Sequence, residues 1–357
     1  MGELGGPEPS ADGATHPGVA GTVALLAPSI HGSHALLLSP GDRIDVVPLP
    51  QATPEQAAGA ADRVRRALLA LQDPSTGLSG QLRAEGEIGA VLDWLWAAVT
   101  EPVLDRLDRL DGAGDGPRRV WWVPAGPLAS LPIHAAGDAL ARACSSYSPT
   151  LQALRDGRSA AAPASPRMLV VAMPETPGAA PLPGARAEAQ LLRPGRDPVE
   201  LTGPGATRAT VLAALTGSDI AHFACHSAPD PDRPGASRLL LHDHETRPLT
   251  LLDVARLRLP GGWLAYLSSC STMLSGAGLA DEAVHLAAAF RHAGFANVVG
   301  TLWPVDDRGA ALPMARDFYA GLEHGPAEAL RRATLALAAA QPRNPSFWAG
   351  HVHVGPS

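Results

Sequence analysis

The sequence predicts an α/β fold in which a mostly parallel sheet is flanked by helices and preceded by a smaller α+β N-terminal region. From Val120 onward, short apolar runs alternate with helical runs rich in Ala, Leu and Arg, which is typical of parallel strands joined by crossover helices. Hydrophobic residues make up 46% of the 357 residues, which is enough for a sizeable core. No internal period repeats along the chain, so a solenoid is excluded.

Three predicted strands open the N-terminal region. Residues 1–20 read as a flexible tail rich in Gly, Pro and Ala. The runs GTVALLAPS, HALLLSP and RIDVVPLP follow, and turn residues such as Ser39-Pro40-Gly41-Asp42 separate them. Apolar runs of this length between turn residues predict short strands that pair in an antiparallel way.

Two predicted helices follow these strands. Thr53-Pro54-Glu55-Gln56 supplies an N-cap threonine, a proline at the first helical position and a glutamine at the third, which predicts a helix start. Asp73-Pro74 and Ser79-Gly80 are expected to separate this helix from the next one. In VLDWLWAAVTEPVLDRLDRL the apolar spacing predicts a buried helical stripe, so Trp94 and Trp96 are interpreted as core side chains.

The second half of the chain contains most of the predicted parallel sheet. Its predicted strands are VWWVP, MLVVAM (168–173), DIAHFAC (219–225), WLAYLSS (263–269), NVVGTLW (297–303) and GHVHVG (350–355). Its predicted helices lie near residues 186–192, 207–215, 281–292, 312–322 and 327–340. The last strand is expected to form an exposed sheet edge that could pair between chains.

One internal segment has the composition of a linker. Residues 156–166, DGRSAAAPASP, are small, polar and proline-bearing. We therefore predict a tail at 1–20, an N-terminal α+β part at 21–155, a linker at 156–166 and an α/β core at 167–357.

Charge and cysteine usage restrict the partners and the compartment. The net charge is −7 and every basic side chain except histidine is an arginine, which argues against a nucleic-acid partner. The chain shows no signal peptide, apolar span or acylation motif, so we expect no membrane attachment and a cytoplasmic protein. Three cysteines without CxxC spacing favour a reducing compartment and argue against a disulfide framework.

Two predicted strands run directly into residues with catalytic chemistry. DIAHFAC leads into His226, and WLAYLSS leads into Cys270. Functional side chains in parallel sheets lie just beyond the carboxyl ends of strands, so neighbouring strands would place an imidazole beside a thiol. An imidazole raises the thiolate fraction of a cysteine, which makes the two residues a candidate nucleophile and base.

Packing is the alternative interpretation for each of these residues, because cysteine is among the most buried residue types. We interpret Cys144 and Cys225 as packing residues, and His222 either as a core histidine or as one that supports the residues of a neighbouring site. Residues 222 and 226 share a strand face from which residue 225 points away, so the three do not form a metal site. The run His242-Asp243-His244-Glu245 is interpreted as a solvated hairpin tip. The sequence contains no HExxH, Walker, GxGxxG or GxSxG motif.

The two strand ends carry a family resemblance. His222-Phe223-Ala224-Cys225-His226-Ser227 and Leu267-Ser268-Ser269-Cys270-Ser271-Thr272 resemble the two motifs of the CHAT domain family, caspase-like cysteine peptidases often fused to TPR repeats. Leu182-Pro183-Gly184-Ala185 with Glu188 and Leu302-Trp303-Pro304-Val305-Asp306-Asp307 are similar to further family segments. The resemblance extends over nearly the whole chain.

The resemblance implies a caspase-like fold and hydrolysis of peptide bonds in protein or peptide substrates, in regulated bacterial proteolysis and without a cofactor or metal. By this carry-over Cys270 is the nucleophile, and His226 is the general acid and base. The backbone N–H groups of Ser227 and Cys270 form the oxyanion hole. Three residues are expected to line the substrate pocket: Ser268, Trp303 and Asp307. For Asp307 an equal alternative is to cap the helix that follows it.

Two departures from the family pattern leave other functions open. Glycine usually follows the catalytic histidine, where Ser227 stands here. A positive φ at this position would strain a serine, so an inactive module that binds peptide or protein partners is the alternative function. A thiol-based acyl transferase is a third hypothesis. No TPR array accompanies the predicted domain, so we expect a protein that is constitutively active, controlled by a separate regulatory protein, or cut from a longer chain.

Overall fold

The computed structural model describes residues 18–112, 116–155, 161–228, 230, 232–268 and 286–356. Its strands, in chain order, are β1 (Thr22–Ala27), β2 (His34–Ser39), β3 (Arg43–Pro48), β4 (Arg118–Pro124), β5 (Ala143–Tyr147), β6 (Met168–Ala172), β7 (Val199–Thr202), β8 (Ile220–Ala224), β9 (Ser227–Ala228), β10 (Arg238–Leu239), β11 (Leu249–Thr250), β12 (Leu264–Leu267), β13 (Asn297–Thr301) and β14 (His351–Val354).

The helices flank this set of strands. In chain order they are α1 (Pro54–Gln72), α2 (Leu78–Leu95), α3 (Glu101–Asp111), α4 (Ala139–Arg142), α5 (Leu151–Arg155), α6 (Pro183–Leu192), α7 (Arg208–Leu215), α8 (Leu251–Ala255), α9 (Leu286–Ala293), α10 (Leu312–Ala320), α11 (Pro326–Ala340) and α12 (Pro345–Trp348). Single π-helical turns, Trp96–Thr100 and Asp307–Ala311, precede α3 and α10.

Within the described residues, eleven strands form one sheet in the order β3-β2-β1-β4-β5-β14-β13-β12-β8-β6-β7. The pairs β1–β2, β2–β3 and β13–β14 are antiparallel, and the other neighbours are parallel. The predicted fold class, a mostly parallel sheet flanked by helices, is therefore confirmed. The predicted antiparallel pairing of the first three strands is also confirmed.

The C-terminal strand lies in the middle of the sheet, so the prediction of an exposed edge is wrong. β14 lies between β5 and β13 and is antiparallel to β13. Its two histidines are buried: the ring of His353 bonds to the hydroxyl of Ser146 and to the side-chain oxygen of Asn297. The alternating histidines of this segment resemble the polar face of an edge strand, but here both are buried, and hydrogen bonds inside the sheet satisfy the ring of His353.

The first predicted helix is confirmed, and the second begins earlier than predicted. The Thr53 side chain accepts from the backbone of Gln56, and Gln56 reaches back to the N-cap, which completes a capping box at α1. Ser79-Gly80 lies inside α2 instead of in a turn, since α2 starts at Leu78. The first turn of α2 is largely exposed, and the buried residues of the helix begin at Ala84, so packing further along the helix stabilises α2 despite the glycine.

The predicted interior strands of the second half are all present. Sequence reasoning missed β5, β7 and, among the described residues, a small sheet in the order β11-β10-β9. The start of the helix predicted at residue 281 lies outside the described residues, and its remainder is α9. Strands from both sides of the predicted linker at 156–166, which is described from 161, belong to the one large sheet.

Two layers of apolar side chains cover the sheet. α1 to α3 pack on one face of its N-terminal half, and α6, α10 and α11 pack on a face of its C-terminal half. Adjacent residues of β4 alternate between faces: Trp122 packs with α1 to α3, whereas Trp121 packs in a separate cluster on the opposite face. Trp94 and Trp96 are partly buried against the larger cluster, which confirms their interpretation as core residues.

Candidate active site

The strands that lead to the two predicted catalytic residues are hydrogen-bonded neighbours. β8 and β12 run parallel with Phe223 opposite Leu267, and the backbone N–H of Ser268 donates to the carbonyl of Phe223 over 2.8 Å. This confirms the predicted adjacency of the two strand ends. His226 lies two residues beyond β8, and Cys270 lies outside the described residues.

His226 is half-buried and fixed at both its backbone and its ring. Its carbonyl accepts from the N–H of Leu240 over 2.9 Å, and its Nε2 lies 2.7 Å from the carbonyl oxygen of Ala180. A carbonyl can only accept, so Nε2 carries a proton. In the neutral ring the lone pair is then on Nδ1, which is the atom that can take up a further proton.

The carbonyl of Ala180 belongs to a closed loop at residues 174–182, between β6 and α6. The N–H of Leu182 donates to the carbonyl of Pro174 over 2.9 Å, and the N–H of Ala179 donates to that of Thr176 over 3.1 Å. These bonds hold the loop beside His226. No sequence signal identified Ala180, because a backbone carbonyl acts without regard to side-chain identity.

Ser227 has an ordinary backbone conformation. It begins β9 and, among the described non-glycine residues, only Asp42 and Asp197 have a positive φ. The strain expected for a serine in the left-handed region therefore does not arise.

A buried polar network lies beneath the strand end that leads to Cys270. His222 on β8 and Glu188 on α6 are 0% and 2% exposed, and Nε2 of His222 lies 3.0 Å from Oε2 of Glu188. The Ser268 hydroxyl donates to Oε1 of the same carboxylate over 3.1 Å. The hydroxyl of Tyr319 lies 3.2 Å from Nδ1 of His222. His222 is thus a core histidine with both ring nitrogens bonded, as predicted.

The aromatic rings around this network keep water away from it. Tyr266 stacks on the imidazole of His222 at 5.0 Å between ring centres. Burial raises the pKa of Tyr266 and of Tyr319 above the ordinary value, so both hydroxyls stay protonated. Glu188 was not singled out for function from the sequence. The sequence feature that could have identified Glu188 is an acidic residue on the apolar face of a predicted helix, where Ala185, Ala189 and Leu192 are its buried neighbours.

Two adjacent aspartates have different partners. Asp306 is the N-cap of the following π-helical turn, because its Oδ1 accepts hydrogen bonds from the N–H groups of Arg308 and Gly309. Oδ2 of Asp307 accepts from the N–H of Gly184 over 2.7 Å, at the start of α6. Asp306, and not Asp307, is therefore the residue that caps the following helix. Asp307 instead joins that turn to the helix that carries Glu188.

Trp303 is part of the core. Its side chain is 1% exposed, and its indole N–H donates to the carbonyl of Ser346 over 2.9 Å. Gly350 packs against the ring so closely that a Cβ there would lie 2.8 Å from it. A side chain with almost no surface cannot line a pocket, so the structure argues against Trp303 as a wall of the substrate pocket.

The remaining cysteines are buried. Cys225 is in the apolar interior, and burial raises the pKa of the Cys144 thiol, which confirms their interpretation as packing residues. Over the described ranges, no group of three His, Cys, Asp or Glu side chains is arranged to hold a metal ion. In the same ranges no helix is both long and apolar enough to cross a bilayer.

A cavity of about 550 Å³ lies away from these residues. Residues of α5, α8 and α9 and the ends of β5 and β14 line it. Of the predicted site residues that the structure describes, none is in its wall. The candidate site is therefore defined by the strand ends and not by this cavity.

Comparisons with known proteins identify the family. A family model described as the CHAT domain matches residues 89–356, more than half of the chain, and no curated protein matches significantly. Two crystal structures of the Saccharomyces cerevisiae separase–securin complex are similar, with TM-scores of 0.66 and 0.65 at 8% and 9% identity. Each match covers 94% of this chain but only 30% of the other, so this chain spans less than a third of that length. At this identity the likeness shows the fold alone. Since the family model includes both β8 and β12, whose ends carry the two motifs, the chain belongs to the CHAT domain family.

Proposed function

We propose that this chain is a caspase-like cysteine endopeptidase that hydrolyses peptide bonds of protein substrates. Cys270 is the nucleophile and His226 is the general acid and base. The observation that supports this most strongly is the geometry at His226. Its ring lies beyond a strand that neighbours the strand leading to Cys270, and its Nε2 donates to the carbonyl of Ala180.

The bond to Ala180 supports a proton-transfer role for His226. With the proton of the neutral ring on Nε2, Nδ1 has the lone pair that accepts the proton of the Cys270 thiol. The imidazolium that forms keeps its Nε2–H bond to the carbonyl, which stabilises the cation and fixes its orientation.

In the proposed reaction the sulfur of Cys270 attacks the carbonyl carbon of the scissile bond. A carbon–sulfur bond forms, and the negative charge moves to the carbonyl oxygen. The backbone N–H groups of Ser227 and Cys270 stabilise this oxyanion, at about 3 to 4 kcal/mol for each donor. The carbon–nitrogen bond then breaks while His226 gives its proton to the leaving amine.

Water completes the cycle. His226 takes a proton from the water that attacks the thioester, the carbon–sulfur bond breaks, and the proton returns to the sulfur. The products are a new carboxyl group and the free cysteine, so the cycle needs no cofactor.

Ser268 and Asp307 remain the proposed contacts to the substrate residue before the cut. The Ser268 hydroxyl is held by Glu188, and the half-buried carboxylate of Asp307 could attract a basic side chain. Control by a separate regulatory protein in a bacterial cytoplasm is part of the proposal. The matched yeast structures are themselves complexes of separase with securin.

The first test is alkylation of the native protein by iodoacetamide from about pH 5 to about pH 9, followed by peptide mapping. The proposal expects selective labelling of Cys270 below about pH 7, lost after His226→Ala. The buried Cys144 and Cys225 serve as internal controls. Cys270→Ala should abolish cleavage of a responsive protein substrate without unfolding the chain.

Two results would overturn the proposal. One is ordinary, slow labelling of Cys270 that does not depend on His226. The other is cleavage that survives Cys270→Ala. Saturable peptide binding without turnover would identify the chain as an inactive binding module.

A further inference from the structure

The run His242-Asp243-His244-Glu245 takes no part in the proposed chemistry, yet it contacts the loop that orients His226. It forms the turn between β10 and β11, as predicted, but Asp243 and His244 are half-buried, so the tip is not fully solvated as expected. The half-buried ring of His244 lies with Nε2 2.8 Å from the carbonyl oxygen of Pro177. Since a carbonyl only accepts, His244 donates this hydrogen bond.

Two histidines thus donate to one short loop. His226 bonds to the carbonyl of Ala180, and His244 bonds to that of Pro177, three residues earlier. Between them Gly178 has a φ of +69°, and a Cβ there would lie 3.1 Å from Oε1 of Glu245. The turn and the loop are therefore packed closely enough for a change in one to move the other.

The turn itself is anchored to the start of α7, and α7 is in turn tied to α8. Oδ1 of Asp243 accepts from the N–H of Arg208 over 3.0 Å, at the start of α7. The N–H of His242 donates to the carbonyl of Ala206 over 2.9 Å. The Arg208 guanidinium forms two hydrogen bonds with the carboxylate of Asp253 on α8. His244 therefore projects from a fixed support, whereas residues 174–182 are a loop without regular structure.

We propose that His244 is a positioning residue for His226. It holds the carbonyl of Pro177 in place, which fixes the loop and with it the carbonyl of Ala180. That carbonyl selects the form of His226 with the proton on Nε2. This inference rests on the proposed function, because the position of the His226 proton matters for catalysis only if His226 transfers protons.

The test compares two substitutions of similar length that differ in one donor. His244→Gln retains an N–H that can reach Pro177, and His244→Met does not. His242→Leu is the matched control in the same turn. The ring of His242 is exposed and, within the described residues, forms no hydrogen bond or ion pair with the loop at 174–182. The readouts are the ring ¹⁵N shifts of His226, the alkylation rate of Cys270 near neutral pH and the melting temperature.

We expect His244→Met to lower the fraction of His226 with the proton on Nε2 and to slow Cys270 alkylation by about 10-fold. His244→Gln should restore both to within about 2-fold, and His242→Leu should change neither. A folded His244→Met variant with unchanged ring shifts and rate overturns the inference, as does an equal loss in the Gln and Met variants. Unactivated Cys270 in the unsubstituted protein overturns the proposed function instead, while the ring shifts still decide whether His244 orients His226.

Discussion

The carboxylate of Glu188 lies 3.0 Å from the imidazole of His222, and both side chains are almost completely buried. The same carboxylate accepts from Ser268, two residues before Cys270. A buried pair of this kind adds little to stability by itself, but losing one partner leaves the other polar groups unsatisfied.

Glu188→Ala is therefore expected to lower the free energy of unfolding by about 3 kcal/mol, because His222 and Ser268 both lose an acceptor. Glu188→Gln retains one acceptor and should cost less. Chemical denaturation measures both, with the exposed Glu175→Ala as the control. If Glu188→Ala lowers the free energy of unfolding by less than about 1 kcal/mol, the prediction is wrong, because water then satisfies His222 and Ser268 in place of the carboxylate.

Buried histidines make the fold sensitive to acid. Burial lowers the pKa of His134 to about 3 and of His351 to about 4, and it lowers that of His353 well below its ordinary value. The unfolded chain binds protons on these residues below about pH 6.5, but the folded chain does not. Stability is thus expected to fall as pH falls below about 6.5, by up to about 1.4 kcal/mol per pH unit for each histidine.

His351→Leu tests this most directly, since within the described residues neither ring nitrogen of His351 has a hydrogen-bond partner. Urea denaturation between about pH 4.5 and about pH 7.5 should give a shallower loss of stability in this variant. The exposed His31→Leu should retain the full slope. Identical slopes in all three proteins would contradict the prediction.

Two glycines should respond in opposite ways to replacement by alanine. Gly137 has a φ of +52°, and a Cβ there would lie 2.2 Å from Cδ2 of Trp96. Gly137→Ala is expected to destabilise the protein by about 2 kcal/mol or more. Gly59 lies inside α1 with no neighbour within 4 Å of a Cβ, so Gly59→Ala should stabilise it by about 0.5 to 1 kcal/mol. Melting temperatures that move in the same direction would refute this contrast.

Asp307 allows a structural role to be separated from substrate binding. Its carboxylate accepts from the N–H of Gly184, so Asp307→Ala should cost about 1 kcal/mol of stability. Asp307→Asn retains an oxygen acceptor and should cost less. If Asp307 also attracts a basic substrate residue, Asp307→Asn should weaken the preference for Arg or Lys before the cut in a peptide library. If the preference for Arg or Lys is unchanged in Asp307→Asn, Asp307 does not bind the substrate and has only its structural contact to α6.

Much of the fold follows from local sequence patterns. Apolar runs predicted the interior strands of the second half, and the capping residues Thr53 and Gln56 predicted the start of α1. The strand ends directed attention to His226 and Cys270 because functional groups in parallel sheets lie there. Each of these signals lies within a single strand or helix, so it can be recognised without knowing which elements pack beside that strand or helix.

Tertiary structure decided the rest, because the deciding contacts join residues that are distant in the chain. His226 and Ala180 are separated by 46 positions, and Glu188 and Ser268 by 80. The burial of β14 depends on β5 and β13 on either side of it, which its alternating histidines could not reveal. The sequence by itself determined the elements and the residues at their ends. Only the packing of those elements decided which polar groups are satisfied, and hence which carbonyl and carboxylate support the candidate site.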